Sequence, residues 1–352
     1  MGLFGRLSGS GTPEATKPAP AKLLAPETPP LVFKSGTTLP VVDWEAMRKL
    51  EPPVVDKAEI DAWWTSLARE WLEALRAALD ARYAIRESSR FLLLGSVDDT
   101  RARVVLDFLE ETRRKVLAVL DGIAADTRPG KVCVLVLDGD DRYYQYVSNY
   151  YAKDGEYALS GGMFIQQGYG HFVFVEDDED DIEPTIAHEL THCLVQHLPL
   201  PAWLNEGIAV NTERRLCPPS GKPLYTPKEM QEKHLKFWNE ATIQEFWSGK
   251  SWLRPDEANM LSYDMARNFV LLASEDYGAF RAFANAANAE DGGNAAALKT
   301  LGYPVENLAQ AVLGDGPWEP KPELWKDGVE RGQFRGGKMS GVSDRHEGVF
   351  PK

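Results

Sequence analysis

Residues 184–209 read PTIAHELTHCLVQHLPLPAWLNEGIA, and the chain is expected to fold around the chemistry this stretch carries. His188 and His192 are four residues apart, so a helix begun at Pro184 sets both imidazoles on one face, one turn apart. A single divalent ion bridges such a pair without backbone strain. Glu189 points beside that ion rather than at it, the position from which a carboxylate takes a proton from a metal-activated water. Ile186, Leu190 and Leu194 make the helix apolar, and histidines in a buried helix are costly without a partner. Catalytic zinc usually takes three protein ligands plus a water. Glu206 is the expected third ligand, because Pro199 and Pro201 end one helix and start a second that folds back on it. The bland alternative is that Glu206 only decorates an amphipathic helix.

Working outward, the region before this stretch mixes helix and strand. Ile60, Trp64, Leu67, Trp71, Leu75 and Leu79 recur at helical spacing, predicting one long amphipathic helix over 59–83 whose tryptophan stripe packs in a core. FLLLG (91–95) reads as a short buried strand, and Val104 to Leu120 as a second helix. Lys131–Leu137 is a strand ended by the turn residues DGDD, and Met163–Ile165 and Phe172–Val175 are two more. The acidic run EDDEDD (176–181) suits the approach to a helix N-terminus; it lacks the spaced ligands and glycine of a calcium loop. The expected class is α+β: a mixed lobe over 39–176 with a small sheet packed on helices, then a mainly helical lobe over 177–315, with the zinc cleft between them. Residues 1–38, rich in Pro and Ala, and 316–352, rich in Gly and charge, are expected to be flexible tails, with Trp318 and Trp325 pinning the start of the second.

Composition narrows the partners. The 352 residues carry 39 basic and 53 acidic side chains, a net charge of −14, which argues against nucleic acid and anionic membrane surfaces. Cys133, Cys193 and Cys217 form no CxxC pair, so neither a disulfide framework nor a thiolate zinc site is suggested. With no apolar run long enough to span a bilayer and no convincing leader in MGLFGRLSGSG, a cytoplasmic location is expected. His197 falls off the ligand face, and His171, His234 and His346 lack ligand spacing.

HELTH followed by LPAWLNEGIA resembles the gluzincin metallopeptidases, specifically the peptidase MA-like group with a short gap between HExxH and the glutamate. The resemblance covers roughly residues 91–313. It implies a thermolysin-like zincin fold, Zn2+ on His188, His192 and Glu206, Glu189 as general base, and a peptide or protein substrate. In similar enzymes an edge strand before the zinc helix pairs with the extended substrate, which here means Gly161–Ile165 or Gly170–Val175. A tyrosine starting the next helix lies near the metal in similar proteins and donates to the oxyanion; Tyr263 holds that place. The stretch from Thr212 to Pro255 is longer than a simple link, so substrate choice does not transfer from the family. The rival expectation is a zinc-stabilised binding or regulatory module that hydrolyses nothing and recruits a protein partner through its tails. Glu189 weighs against it, since a structural site needs ligands but no base.

Overall fold

The computed structural model describes residues 27–53, 56–150, 160–176, 179–219, 221–325 and 337–339. Five strands, β1 (Ala84–Glu87), β2 (Phe91–Gly95), β3 (Val132–Leu137), β4 (Ser160–Ile165) and β5 (His171–Val175), form a mixed sheet in the order β1-β2-β3-β5-β4. A three-residue strand, β6 (Gly337–Met339), adds to the outside of β4. The interior strands β2, β3 and β5 are parallel, while β1 and β4 run antiparallel to their neighbours.

Parallel strands are buried on both faces, which is why FLLLG and VCVLVL are continuously apolar rather than alternating with polar residues. Alternation survives in which face each side chain serves. Phe91, Leu93, Val134, Val136, Phe164, Phe172 and Phe174 join one hydrophobic cluster; Leu92, Leu94, Cys133, Leu135, Met163 and Val173 join the other. The second cluster is closed by α1 (Trp44–Arg48), α2 (Lys57–Leu79) and α4 (Asp140–Val147), with Trp44, Trp64 and Trp71 packed on Tyr169. The first runs without a break through α3 (Asp99–Val119), α5 (Glu179–Val195), α6 (Ala202–Leu216), α8 (Thr242–Ser248), α9 (Ala258–Ala273) and α10 (Tyr277–Ala286), then α11 (Asn294–Thr300) and α12 (Glu306–Leu313). The helical half therefore shares its core with one sheet face. The chain is α+β, as the sequence predicts.

Several boundaries differ from expectation for local reasons. Helix α2 stops at Leu79 because Asp80 is extended (φ −170°), and Tyr83 turns inward to bond Asp138 instead. Helix α5 starts at Glu179, leaving Pro184 inside it rather than at its start. Acidic residues in a first turn complement the helix dipole, which favours the earlier start. Within the two expected tails, Phe33 bridges to Val42, Trp247 donates to the Trp318 carbonyl and Trp325 donates to Gln244; residues 1–26, 326–336 and 340–352 lie outside the described residues. The long stretch after Thr212 is largely helical, with α7 (Pro227–Phe237) started by a Thr226–Glu229 capping box. Among the described residues, no helix is long and apolar enough to cross a membrane.

His171 on β5, read from sequence as unremarkable, is fully buried under the sheet, with Tyr146 Oη 2.6 Å from its Nε2 and the Trp71 ring edge-on at 4.9 Å. Burial, reinforced by the charge of Arg128, pushes its pKa down to about 3. The unfolded chain therefore binds a proton below 6.5 that the folded chain refuses, so stability falls as pH drops through this window. The expected slope from this one group is about 1.4 kcal/mol per pH unit. Urea melts of wild type and His171→Phe between about pH 7 and pH 5 read it: the variant should lose that part of the slope, and parallel pH profiles would remove His171 as its source.

Candidate metal centre

Two helices build the site. Helix α5 presents His188, Glu189 and His192, and α6, running back after the QHLPLP turn, presents Glu206. Gly207 sets how closely the next layer approaches, because a Cβ there would stand 2.5 Å from the Ala266 carbonyl oxygen of α9. With no side chain in the way, α9 lies against α6 and carries Tyr263 to the metal side, its ring 6.3 Å from that of His188. Tyr263 is in the second turn of α9, not at the helix start that the resemblance implies.

The ligand atoms form a tight triangle. His188 Nε2 and His192 Nε2 are 3.1 Å apart, and Glu206 Oε2 is 3.3 Å from the first and 3.5 Å from the second. A tetrahedral ion with bonds of about 2.0–2.1 Å separates its ligand atoms by about 3.3 Å. The outer nitrogens explain the arrangement: His188 Nδ1 lies 3.1 Å from Glu213 Oε2, and His192 Nδ1 lies 3.1 Å from Asn205 Oδ1. Both acceptors draw the ring proton to Nδ1, so each Nε2 offers a lone pair inward. Glu206 Oε2 is buried there without a hydrogen bond. Three electron pairs thus converge where only a cation or a proton balances them, and the buried His188–His192–Glu206 group can hold a metal ion.

Electrostatics agree with that demand. Burial opposes a charge on His188, yet Glu206 and Glu213 outweigh it and lift the imidazole to about 10. Burial likewise opposes ionisation of Glu206, but the His192 and His188 charges hold its carboxyl well below the usual range. Glu189 behaves differently: burial, only partly offset by His192 and His188, pushes it up to about 7. Its Oε2 accepts the Phe164 N–H of β4 at 2.9 Å, and its Oε1 is buried with no hydrogen bond. Tyr263 is pushed well above its ordinary value by burial and then by Glu206, so it stays a protonated donor.

The structure brings together the five residues singled out from sequence; of the two candidate substrate strands, β5 lies between β3 and β4, and β4 lies between β5 and the short β6. It leaves the other described histidines outside: His197 is exposed, His234 pairs with Asp264 at 3.0 Å, and His171 is buried against Tyr146 and Trp71. Asn205 and Glu213 were missed. Their signal was present, since Asn205 adjoins Glu206 and Glu213 follows it by seven residues, two turns along the same face. Glu213→Ala should weaken metal binding about 10–100-fold by freeing the His188 ring, read by competitive zinc titration; an unchanged affinity would show that Glu213 does not orient that ligand. No family model matches this chain, and no curated protein is matched by it.

Proposed function

We propose that this protein is a zinc-dependent peptidase of gluzincin type, with a thermolysin-like arrangement of edge strand, zinc helix and glutamate helix. The observation that carries the reading is Glu189: a buried carboxylate one residue from a metal ligand, anchored through Oε2 on the Phe164 N–H with Oε1 unpartnered. A site that only braced the fold would need His188, His192 and Glu206 but no such base. The donor set of two imidazoles and one carboxylate suits zinc and leaves a fourth position for water.

Zinc held by His188, His192 and Glu206 would act as a Lewis acid and lower the pKa of a water bound to it. Glu189 Oε1 takes the proton of the attacking water and passes it to the departing amine nitrogen, so no net proton is lost. Tyr263 donates its hydroxyl proton in a hydrogen bond to the carbonyl oxygen as that oxygen becomes anionic. Strand β4, whose Phe164 N–H holds the base, would align an extended peptide beside Glu189. A reducing, cytoplasmic setting, in which Cys133, Cys193 and Cys217 stay thiols rather than disulfides, goes with this reading.

Digestion of a peptide library by zinc-loaded protein, read by mass spectrometry, tests the proposal. Cleavage that needs about one zinc per chain and stops on chelation is the expected result. A fully zinc-loaded chain that cuts nothing would overturn it.

A further inference from the structure

Among the described residues, eight buried side-chain nitrogens and oxygens make no hydrogen bond. Two of them, Glu189 Oε1 and Glu206 Oε2, belong to the metal centre, and two more, Trp252 Nε1 and Asn259 Oδ1, are on residues next to Tyr263. The Trp252 ring stands edge-on to that of Tyr263 at 6.2 Å, and Tyr263 in turn is 6.3 Å from the His188 ring. Asn259 precedes Tyr263 by four residues in α9, so the two share a face of the helix, one turn apart. Asn259 Nδ2 donates to the Trp252 carbonyl at 2.5 Å, which fixes the amide's orientation and leaves Oδ1 as the unused acceptor.

Neighbouring polar side chains are committed elsewhere. Ser251 Oγ and Ser262 Oγ bond each other at 2.6 Å, and Ser262 also donates to the Ala258 carbonyl. Arg254 is held by Glu245 and Asp256. Trp252 is only 7% exposed, and a buried donor left unpaired costs stability that a ligand can restore. The pair offers one donor and one acceptor, the complement of an amide: a C=O accepts from the indole and an N–H donates to Asn259. A carboxylate would turn oxygen against the Asn259 oxygen, and an ammonium has no lone pair for the indole N–H. Glu189 Oε1 is buried in the same way, so an amide reaching this pair needs the same opening that brings a peptide to the base.

We propose that Trp252 and Asn259 form an amide-recognising subsite beside Tyr263, which receives a carboxamide of the substrate flanking the scissile bond. The carboxamide is a main-chain peptide unit or a glutamine or asparagine side chain. The proposal rests on the peptidase reading, in which Tyr263 faces the carbonyl under attack. Its test uses the full zinc-loaded chain carrying Glu189→Gln, so that no peptide is consumed, with isotope-labelled tryptophan. The probes are capped alanine peptides whose central residue is glutamine, glutamate or methionine. Trp252→Phe keeps the ring's packing and identifies the Trp252 indole signal; that N–H has no partner to lose, so the variant should fold as wild type. Saturating peptide should move the indole N–H signal downfield, and Asn259→Leu, the second variant, should shrink that shift. A shift with the glutamine peptide alone assigns a side-chain amide, and an equal shift with all three assigns the main chain. No shift with any of them, or the largest with glutamate, overturns the subsite. With Glu189 restored, Trp252→Phe and Asn259→Leu should each lower kcat/KM on the preferred peptide by at least about tenfold. Unchanged values in both, where wild type cuts, also overturn it. The indole shift without hydrolysis by the wild-type chain would uphold the subsite and sink the peptidase reading instead.

Discussion

Glu189→Gln is expected to lower kcat for peptide hydrolysis by about 10²–10⁴-fold while zinc remains bound, because only the proton acceptor is removed. The substitution is nearly isosteric. A glutamine carbonyl still accepts the Phe164 N–H now bonded to Glu189 Oε2, so β4 should keep its place. His188, His192 and Glu206 are untouched, and Asn205 and Glu213 still orient both rings. Kinetics on a fluorogenic peptide, with zinc content measured on the same preparation, separate the outcomes. Activity within a few-fold of wild type would remove Glu189 from the role of base. Loss of zinc would make it a structural support of the ligand helix.

Glu206→Ala carries the second large effect: it should weaken zinc binding by more than the roughly 10–100-fold typical of losing an outer-shell partner. Two histidines on one turn would still bind weakly, but the carboxylate that closes the triangle at 3.3 and 3.5 Å would be gone. Stability reports the same loss. An ion that binds only the folded chain stabilises wild type by about 2.7 kcal/mol at a hundredfold excess over Kd. The variant should show little of that gain, so its urea midpoint should barely respond to zinc. Equal zinc-induced stabilisation in both proteins would mean that Glu206 is not a ligand.

Local order made part of this molecule legible. The four-residue spacing of His188 and His192 follows from helical period alone, and the tryptophans of α2 marked a buried stripe that the structure contains. The apolar strands were visible because parallel pairing buries both faces. Less legible were features that depend on partners distant in sequence. Pro184 suggested a helix start, yet α5 begins five residues earlier, at Glu179. The resemblance puts Tyr263 at a helix start, yet it lies further in, and its position depends on the close approach of α9 to Gly207. His171 gave no hint that it would be sealed against Tyr146 and Trp71.

The sequence by itself determined the donor types, their order along the chain and the helical turn that pairs the histidines, since these depend on residues within one or two turns of each other. The tertiary structure alone decided that Glu206 closes the triangle, that Asn205 and Glu213 turn both lone pairs inward, and that β4 lies outside β5 in the sheet. It also decided that Gly337–Met339 returns from far along the chain to pair with β4. The physical reason is that such contacts arise where packing brings separate elements within a few ångströms, and periodicity along a chain carries no record of which elements meet.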